Sequence, residues 1–120
     1  MKALSIIAAM LFCISTAAQQ KIINPVIDLD FPDPTVIRTN GKYYAYATNP
    51  NRRGKTLHIQ VAGSTDLQNW AIIGDALPQK PSWGSHDFWA PHVIYDQQIK
   101  KYVLFYSAES VDTTLGKCLG

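Results

Sequence analysis

The sequence predicts an all-β fold built from antiparallel propeller blades, and three observations carry that expectation. Beyond an apolar leader, no long apolar period near 3.6 residues appears. Short runs rich in Val, Ile, Tyr, Phe and Thr alternate instead with turn clusters. The runs fall at 35–38, 43–48, 58–64, 71–77, 92–95 and 102–107. Between them lie Thr39-Asn40-Gly41, Asn49-Pro50-Asn51, Asp66-Leu67-Gln68-Asn69 and Asp96-Gln97-Gln98, all with turn chemistry. Finally, one unit recurs. Pro34-Thr35-Val36-Ile37, a turn and Lys42-Tyr43-Tyr44-Ala45-Tyr46-Ala47-Thr48 are matched by Pro91-His92-Val93-Ile94, a turn and Lys101-Tyr102-Val103-Leu104-Phe105-Tyr106-Ser107. The offset is 57 residues at the prolines and 59 at the lysines, so the second turn is two residues longer.

The leader, residues 1–18, reads as a secretory signal peptide. Lys2 supplies a basic start, Ala3 to Ile14 is an almost unbroken apolar run, and Ser15-Thr16-Ala17-Ala18 offers small residues for cleavage. The run is too short for a spanning helix; the competing reading is a buried N-terminal helix. Phe12 before Cys13 argues against a lipidated cysteine. The expectation is therefore a secreted or periplasmic protein with no membrane span. Cleavage after Ala18 leaves 102 residues, with ten basic against nine acidic side chains. That balance suggests neither nucleic acid nor an anionic membrane as partner. Cys118 becomes the only cysteine, which excludes an internal disulfide.

Within residues 19–120, the first copy and the two runs that follow it make four antiparallel strands, one blade. The second copy begins another, and Gly116-Lys117-Cys118-Leu119-Gly120 enters a further strand. Propellers close with at least about four blades, so the expectation is a truncated propeller. The alternative is that two hairpins look alike because hairpins generally do.

Asp33 is the candidate with the most constrained setting. In Asp28-Leu29-Asp30-Phe31-Pro32-Asp33-Pro34 it stands between two prolines, which restrict the backbone around it. A carboxylate held rigidly at the head of an innermost strand suits glycoside hydrolysis; an Asp-Pro turn that merely caps a loop accounts for the same residues. The matching place in the second copy is Phe88-Trp89-Ala90-Pro91-His92. Trp89 can stack on a sugar ring and His92 can hydrogen-bond a hydroxyl; a core tryptophan and a satisfied core histidine are the alternatives. His86-Asp87 reaches the same mouth or is a solvated loop pair. Asp66 is expected to satisfy turn amides and Trp70 to pack between blades. Asn51-Arg52-Arg53-Gly54-Lys55 reads as a basic hairpin tip, and Glu109, after a strand end, as a surface glutamate in preference to a second carboxylate of the site. Three histidines without a helical pair or cysteine partner give no zinc signature.

The ordered set from Asn24-Pro25 through Phe31-Pro32-Asp33-Pro34, Gly41-Lys42-Tyr43-Tyr44, Ser64-Thr65-Asp66-Leu67-Gln68-Asn69-Trp70, Trp89-Ala90-Pro91-His92 and Tyr102-Val103-Leu104-Phe105-Tyr106-Ser107 resembles glycoside hydrolase family 43. The resemblance implies a five-bladed β-propeller with an axial active site, of which this chain holds the first blade and part of the second. It also implies inverting hydrolysis by a general base, a pKa-modulating aspartate and a general acid glutamate. The base maps onto Asp33 and the other two have no counterpart here, so the fragment alone is expected to be inactive. Trp89 maps onto the aromatic wall of the sugar pocket, and His92 onto a position where many relatives carry aspartate. Some relatives hold calcium near the axis, but this chain shows no ligand set, and no other cofactor is implied.

The implied substrate is a plant cell-wall polysaccharide or oligosaccharide. The segments Ile73-Gly74-Asp75-Ala76-Leu77-Pro78 and Lys117-Cys118-Leu119-Gly120, with Trp83, look more like relatives acting on arabinan. They favour α-L-arabinofuranosyl linkages of arabinan or arabinoxylan over β-xylosyl ones. Two other functions compete: a non-catalytic, lectin-like propeller that uses its tryptophans for stacking, and a small autonomous β-domain of a surface complex.

Overall fold

A computed structural model describes residues 21–50 and 57–120. The leader and the whole of the basic loop read at 51–55 therefore lie outside the described residues, and with them Asn51 of the turn at 49–51. The described chain forms β1 (Thr35–Thr39), β2 (Lys42–Ala47), β3 (Gln60–Ser64), β4 (Ala71–Asp75), β5 (Trp89–Asp96), β6 (Lys101–Glu109) and β7 (Lys117–Leu119). The first four make one antiparallel sheet in the order β1-β2-β3-β4, and the last three a second in the order β5-β6-β7. Among the described residues, no helix is long and apolar enough to cross a membrane.

The repeat seen in the sequence becomes two hairpins of related register. In the first, Thr39 pairs with Lys42, leaving Asn40 and Gly41 at φ 49° and 74°. Two successive positive φ values define the tight turn that Asn-Gly favours, because its twist matches that of the strands. In the second, Asp96 pairs with Lys101. The two extra residues are accommodated by Asp96, whose Oδ1 accepts the Gln98 and Ile99 amides at 2.8 and 3.1 Å.

Two strands are shorter than expected for one reason. Asp75 accepts the His58 and Ile59 amides at 2.8 and 2.9 Å and the Leu77 amide at 2.8 Å. The carboxylate thus takes over backbone donors that a continued ladder would have used, so β3 starts at Gln60 and β4 stops at Asp75. The later strands are longer than expected. β5 starts at Trp89 despite Pro91, because the register shifts between Trp89 and His92, and a bulge tolerates a residue without an amide donor.

The sheets meet at a seam of Ile59, Phe88, Tyr106 and Ala108, with Tyr46, Leu77, Trp83 and Leu104 packed against it. Trp83 stacks on Tyr106 at 6.1 Å between ring centroids. β5 lies beside β1 and β2, so each sheet's leading strand borders the other. Trp70 lies outside this seam. Its indole donates to the Leu67 carbonyl at 3.0 Å, and its ring lines a hollow with Pro25, Val26, Phe31, Pro34 and Ala45. The segment entering β1 already occupies that side of the sheet.

Candidate active site

The heads of β1 and β5 build one mouth. Asp33, immediately before β1, is exposed and sits at φ 52°, in a left-handed region that non-glycine residues enter at a cost. Its Oδ2 accepts a hydrogen bond from the Thr48 hydroxyl at 2.9 Å. Thr48 follows β2 and is buried. Its Oγ1 also accepts the Ala90 amide at 3.0 Å, and Ala90 is the residue after Trp89. Neighbouring bonds tighten the junction: Thr48 N–H donates to the Pro32 carbonyl at 3.2 Å, and Asn49 N–H to the Phe88 carbonyl at 3.1 Å. The buried Gln60 amide donates to the Asp30 and Thr48 carbonyls at 2.9 and 2.8 Å. Asp33 and Trp89, 56 positions apart in the chain, therefore share one end of the two-sheet unit.

Trp89 is 39% exposed in the two-sheet unit described. Lys117 Nζ stands 3.7 Å from the centre of its ring, and is paired with Glu109 at 3.0 Å and Asp87 at 3.7 Å. Glu109 is thus a partly exposed ion-pair partner of Lys117. His86 Nδ1 lies 3.2 Å from Asp87 Oδ2, largely in solvent. His92 is exposed on β5, its Nδ1 3.4 Å from Thr35 Oγ1, so it too borders the head of β1.

Thr48 and Lys117 were not singled out from the sequence. Thr48 looks like the last residue of a strand, and only the approach of the second sheet gives its hydroxyl two partners. Lys117 lies on the third strand of the second sheet, 28 positions beyond Trp89. Among the described residues no group of three or more His, Cys, Asp or Glu side chains is placed to hold a metal ion.

An exposed carboxylate and an exposed aromatic side chain at the mouth of adjoining blades fit a carbohydrate-processing propeller. A sequence model of the family described as "Glycosyl hydrolases family 43" matches residues 22–118, and the chain belongs to that family. Among curated proteins it is similar to arabinan endo-1,5-alpha-L-arabinosidase C of Emericella nidulans, 28% identical over 85 residues covering 65% of this chain and 24% of the relative. Among solved structures it is similar to an endo-1,4-beta-xylanase from Bacteroides thetaiotaomicron, 41% identical with a TM-score of 0.59, over 76% of this chain and 29% of that one. A native arabinanase from Bacillus subtilis matches at 27% identity and a TM-score of 0.60, over 78% and 32%. The chain thus spans about a quarter of the curated relative's length. Its architecture is part of a five-bladed β-propeller, one four-stranded blade and three strands of the next.

Proposed function

We propose that the chain is part of an exported, inverting glycoside hydrolase that cleaves α-L-arabinofuranosyl linkages in plant cell-wall polysaccharide, with Asp33 as the general base. The observation that carries this reading is the setting of Asp33: an exposed carboxylate on a left-handed backbone between two prolines, joined through Thr48 to the segment bearing Trp89. An inverting displacement needs one carboxylate to take a proton from the attacking water and a carboxylic acid to protonate the leaving oxygen. The two stand roughly 6.5–9.5 Å apart so that water fits between. Asp33 serves the first task. The acid comes from another part of the propeller, so these 120 residues alone are inactive. Trp89 offers its indole to a sugar face, and His92 a hydrogen bond to a hydroxyl.

The similarity to arabinan endo-1,5-alpha-L-arabinosidase C supports the arabinan side. The 41% identity to a protein described as an endo-1,4-beta-xylanase favours a second reading, xylan or xylo-oligosaccharide. Turnover of debranched arabinan and of xylan by the full-length protein decides between them. For the mechanism, Asp33→Asn in the full-length protein lowers kcat by about a hundred- to ten-thousand-fold, with the melting temperature nearly unchanged. Azide, a nucleophile that needs no base, restores part of the rate. A folded Asp33→Asn protein with near-normal kcat refutes the assignment, and a lectin-like propeller would bind the polysaccharides without cleaving either.

A further inference from the structure

We propose that Thr48 is a positioning residue, whose hydroxyl sets the Asp33 carboxylate for proton abstraction and locks it to the sugar-stacking segment of the neighbouring blade. This rests on the reading of Asp33 as the base.

Every polar atom of Thr48 is committed. Its amide donates to the Pro32 carbonyl, its carbonyl accepts from Gln60 Nε2 at 2.8 Å, and its Oγ1 stands between the Ala90 amide at 3.0 Å and Asp33 Oδ2 at 2.9 Å. The direction of these last two bonds follows from what each group can do. A backbone N–H only donates, so Ala90 occupies an acceptor site on Oγ1. A hydroxyl carries one proton, and the remaining partner is a carboxylate oxygen, so that proton points at Asp33. Among the described residues no hydrogen bond reaches Asp33 Oδ1, which leaves that oxygen to accept a proton from water while Oδ2 is held.

The two residues joined by this hydroxyl share a backbone peculiarity. Asp33 lies at φ 52° and Ala90 at φ 44°, the former two positions before β1 and the latter at the bulge in β5. Left-handed backbone at non-glycine residues persists where surrounding contacts over-determine it. Thr48 supplies a contact to both, and its burial keeps bulk water from substituting for the hydroxyl. Placement of a reacting group to within a fraction of an ångström governs rate more than ground-state binding. Removal of the hydroxyl therefore acts on kcat before KM.

Three variants of the full-length protein, assayed on debranched arabinan and on xylan, test this. Thr48→Val keeps the shape and removes both bonds; kcat falls by about ten- to a hundred-fold while KM stays within about twofold. Thr48→Ser loses the methyl group and keeps the hydroxyl; kcat per folded molecule remains near wild type even where the melting temperature drops. Combined with Asp33→Asn, Thr48→Val causes no further loss, because a residue that acts through another has nothing left to act on. Should Thr48→Val not fold, Thr48→Ala at a temperature where it is folded takes its place. Loss of the hydroxyl then lowers kcat per folded molecule by about ten- to a hundred-fold. A purely packing role instead lowers the melting temperature and leaves kcat per folded molecule near wild type, which overturns the proposal. Near-normal kcat in folded Thr48→Val, alongside a large loss in Asp33→Asn, overturns the positioning role and leaves the base assignment standing. Near-normal kcat in Asp33→Asn itself overturns both.

Discussion

At the mouth of the molecule a lysine rather than another aromatic ring lies against Trp89, and this limits what the indole can recognise. Lys117 covers the ring at 3.7 Å, so one face of the π-system is spent on a cation. The remaining surface is left for a ligand's apolar C–H groups. The ammonium does not make the mouth cationic, because Glu109 and Asp87 both approach it. A neutral ligand fits these surroundings better than an acidic one. A cation over an exposed ring is worth about 0.5–1 kcal/mol, so the most that Lys117 can add to substrate affinity by holding the indole in place is a factor of roughly two to five. On the proposed reading, Trp89→Ala in the full-length protein lowers turnover of arabinan or xylan strongly, and Lys117→Met raises KM by no more than about two- to fivefold with kcat little changed. Wild-type kinetics in Trp89→Ala would show that the ring lies outside the pocket. Of this constellation the sequence shows the endpoints, Asp33 and Trp89, because proline neighbours and the internal repeat mark them. Lys117, Thr48 and the left-handed φ values at Asp33, Asp87 and Ala90 depend on how the sheets meet, which no local pattern encodes.

Turns show where local chemistry suffices. The β3–β4 connection is organised by Asp66, whose Oδ1 accepts the Gln68 and Asn69 amides at 2.9 and 2.8 Å and a bond from Ser64 Oγ at 3.1 Å. Its Oδ2 accepts the Asn69 side-chain amide at 2.8 Å. The Asn69 backbone amide first, then the Asn69 side chain and the Gln68 amide, hold the Asp66 carboxyl well below its ordinary value of 3.8. A carboxyl depressed on folding contributes stability that is present above its unfolded value and lost as pH falls below it. In the full-length protein, Asp66→Ala therefore lowers the melting temperature near pH 7, and the gap from wild type narrows as pH drops below about 4. A gap independent of pH would mean that the turn is held by packing alone. This turn, and the Asn40-Gly41 hairpin, were legible because their partners lie within a few residues. The ends of β3 and β4 were not, since Asp75 reaches across 16 and 17 positions for the Ile59 and His58 amides. Nor was the start of β5, since Pro91 argues against a strand until the bulge around it is seen.

On the scale of the whole molecule, the sheets differ in what covers them. The inner side of the second sheet buries Tyr106 and Ala108 at the seam and Val93 beside Leu104. Strand pairing aligns Phe105, Ile94 with Val103, and Ser107 with Leu119 on its opposite side. There Ile94, Phe105 and Leu119 are 40%, 38% and 76% exposed. Three apolar side chains on one exposed face, together with unpaired outer edges on β4 and β7, recruit other chains when nothing covers them. In repeat architectures each unit is stable only through its neighbours, and a propeller supplies them by closing its ring. Residues 19–120 produced alone should therefore aggregate, or populate a partly unfolded state with a broad, weakly cooperative melt. Extending the chain to the full propeller should restore a sharp transition and a monomer. The decisive comparison is size-exclusion chromatography and thermal unfolding of both proteins at matched concentration. Sharp, cooperative melting of a monomeric 19–120 fragment would mean that its seam, centred on Ile59, Phe88, Tyr106 and Ala108, suffices as a core. The blade would then be an autonomous folding unit.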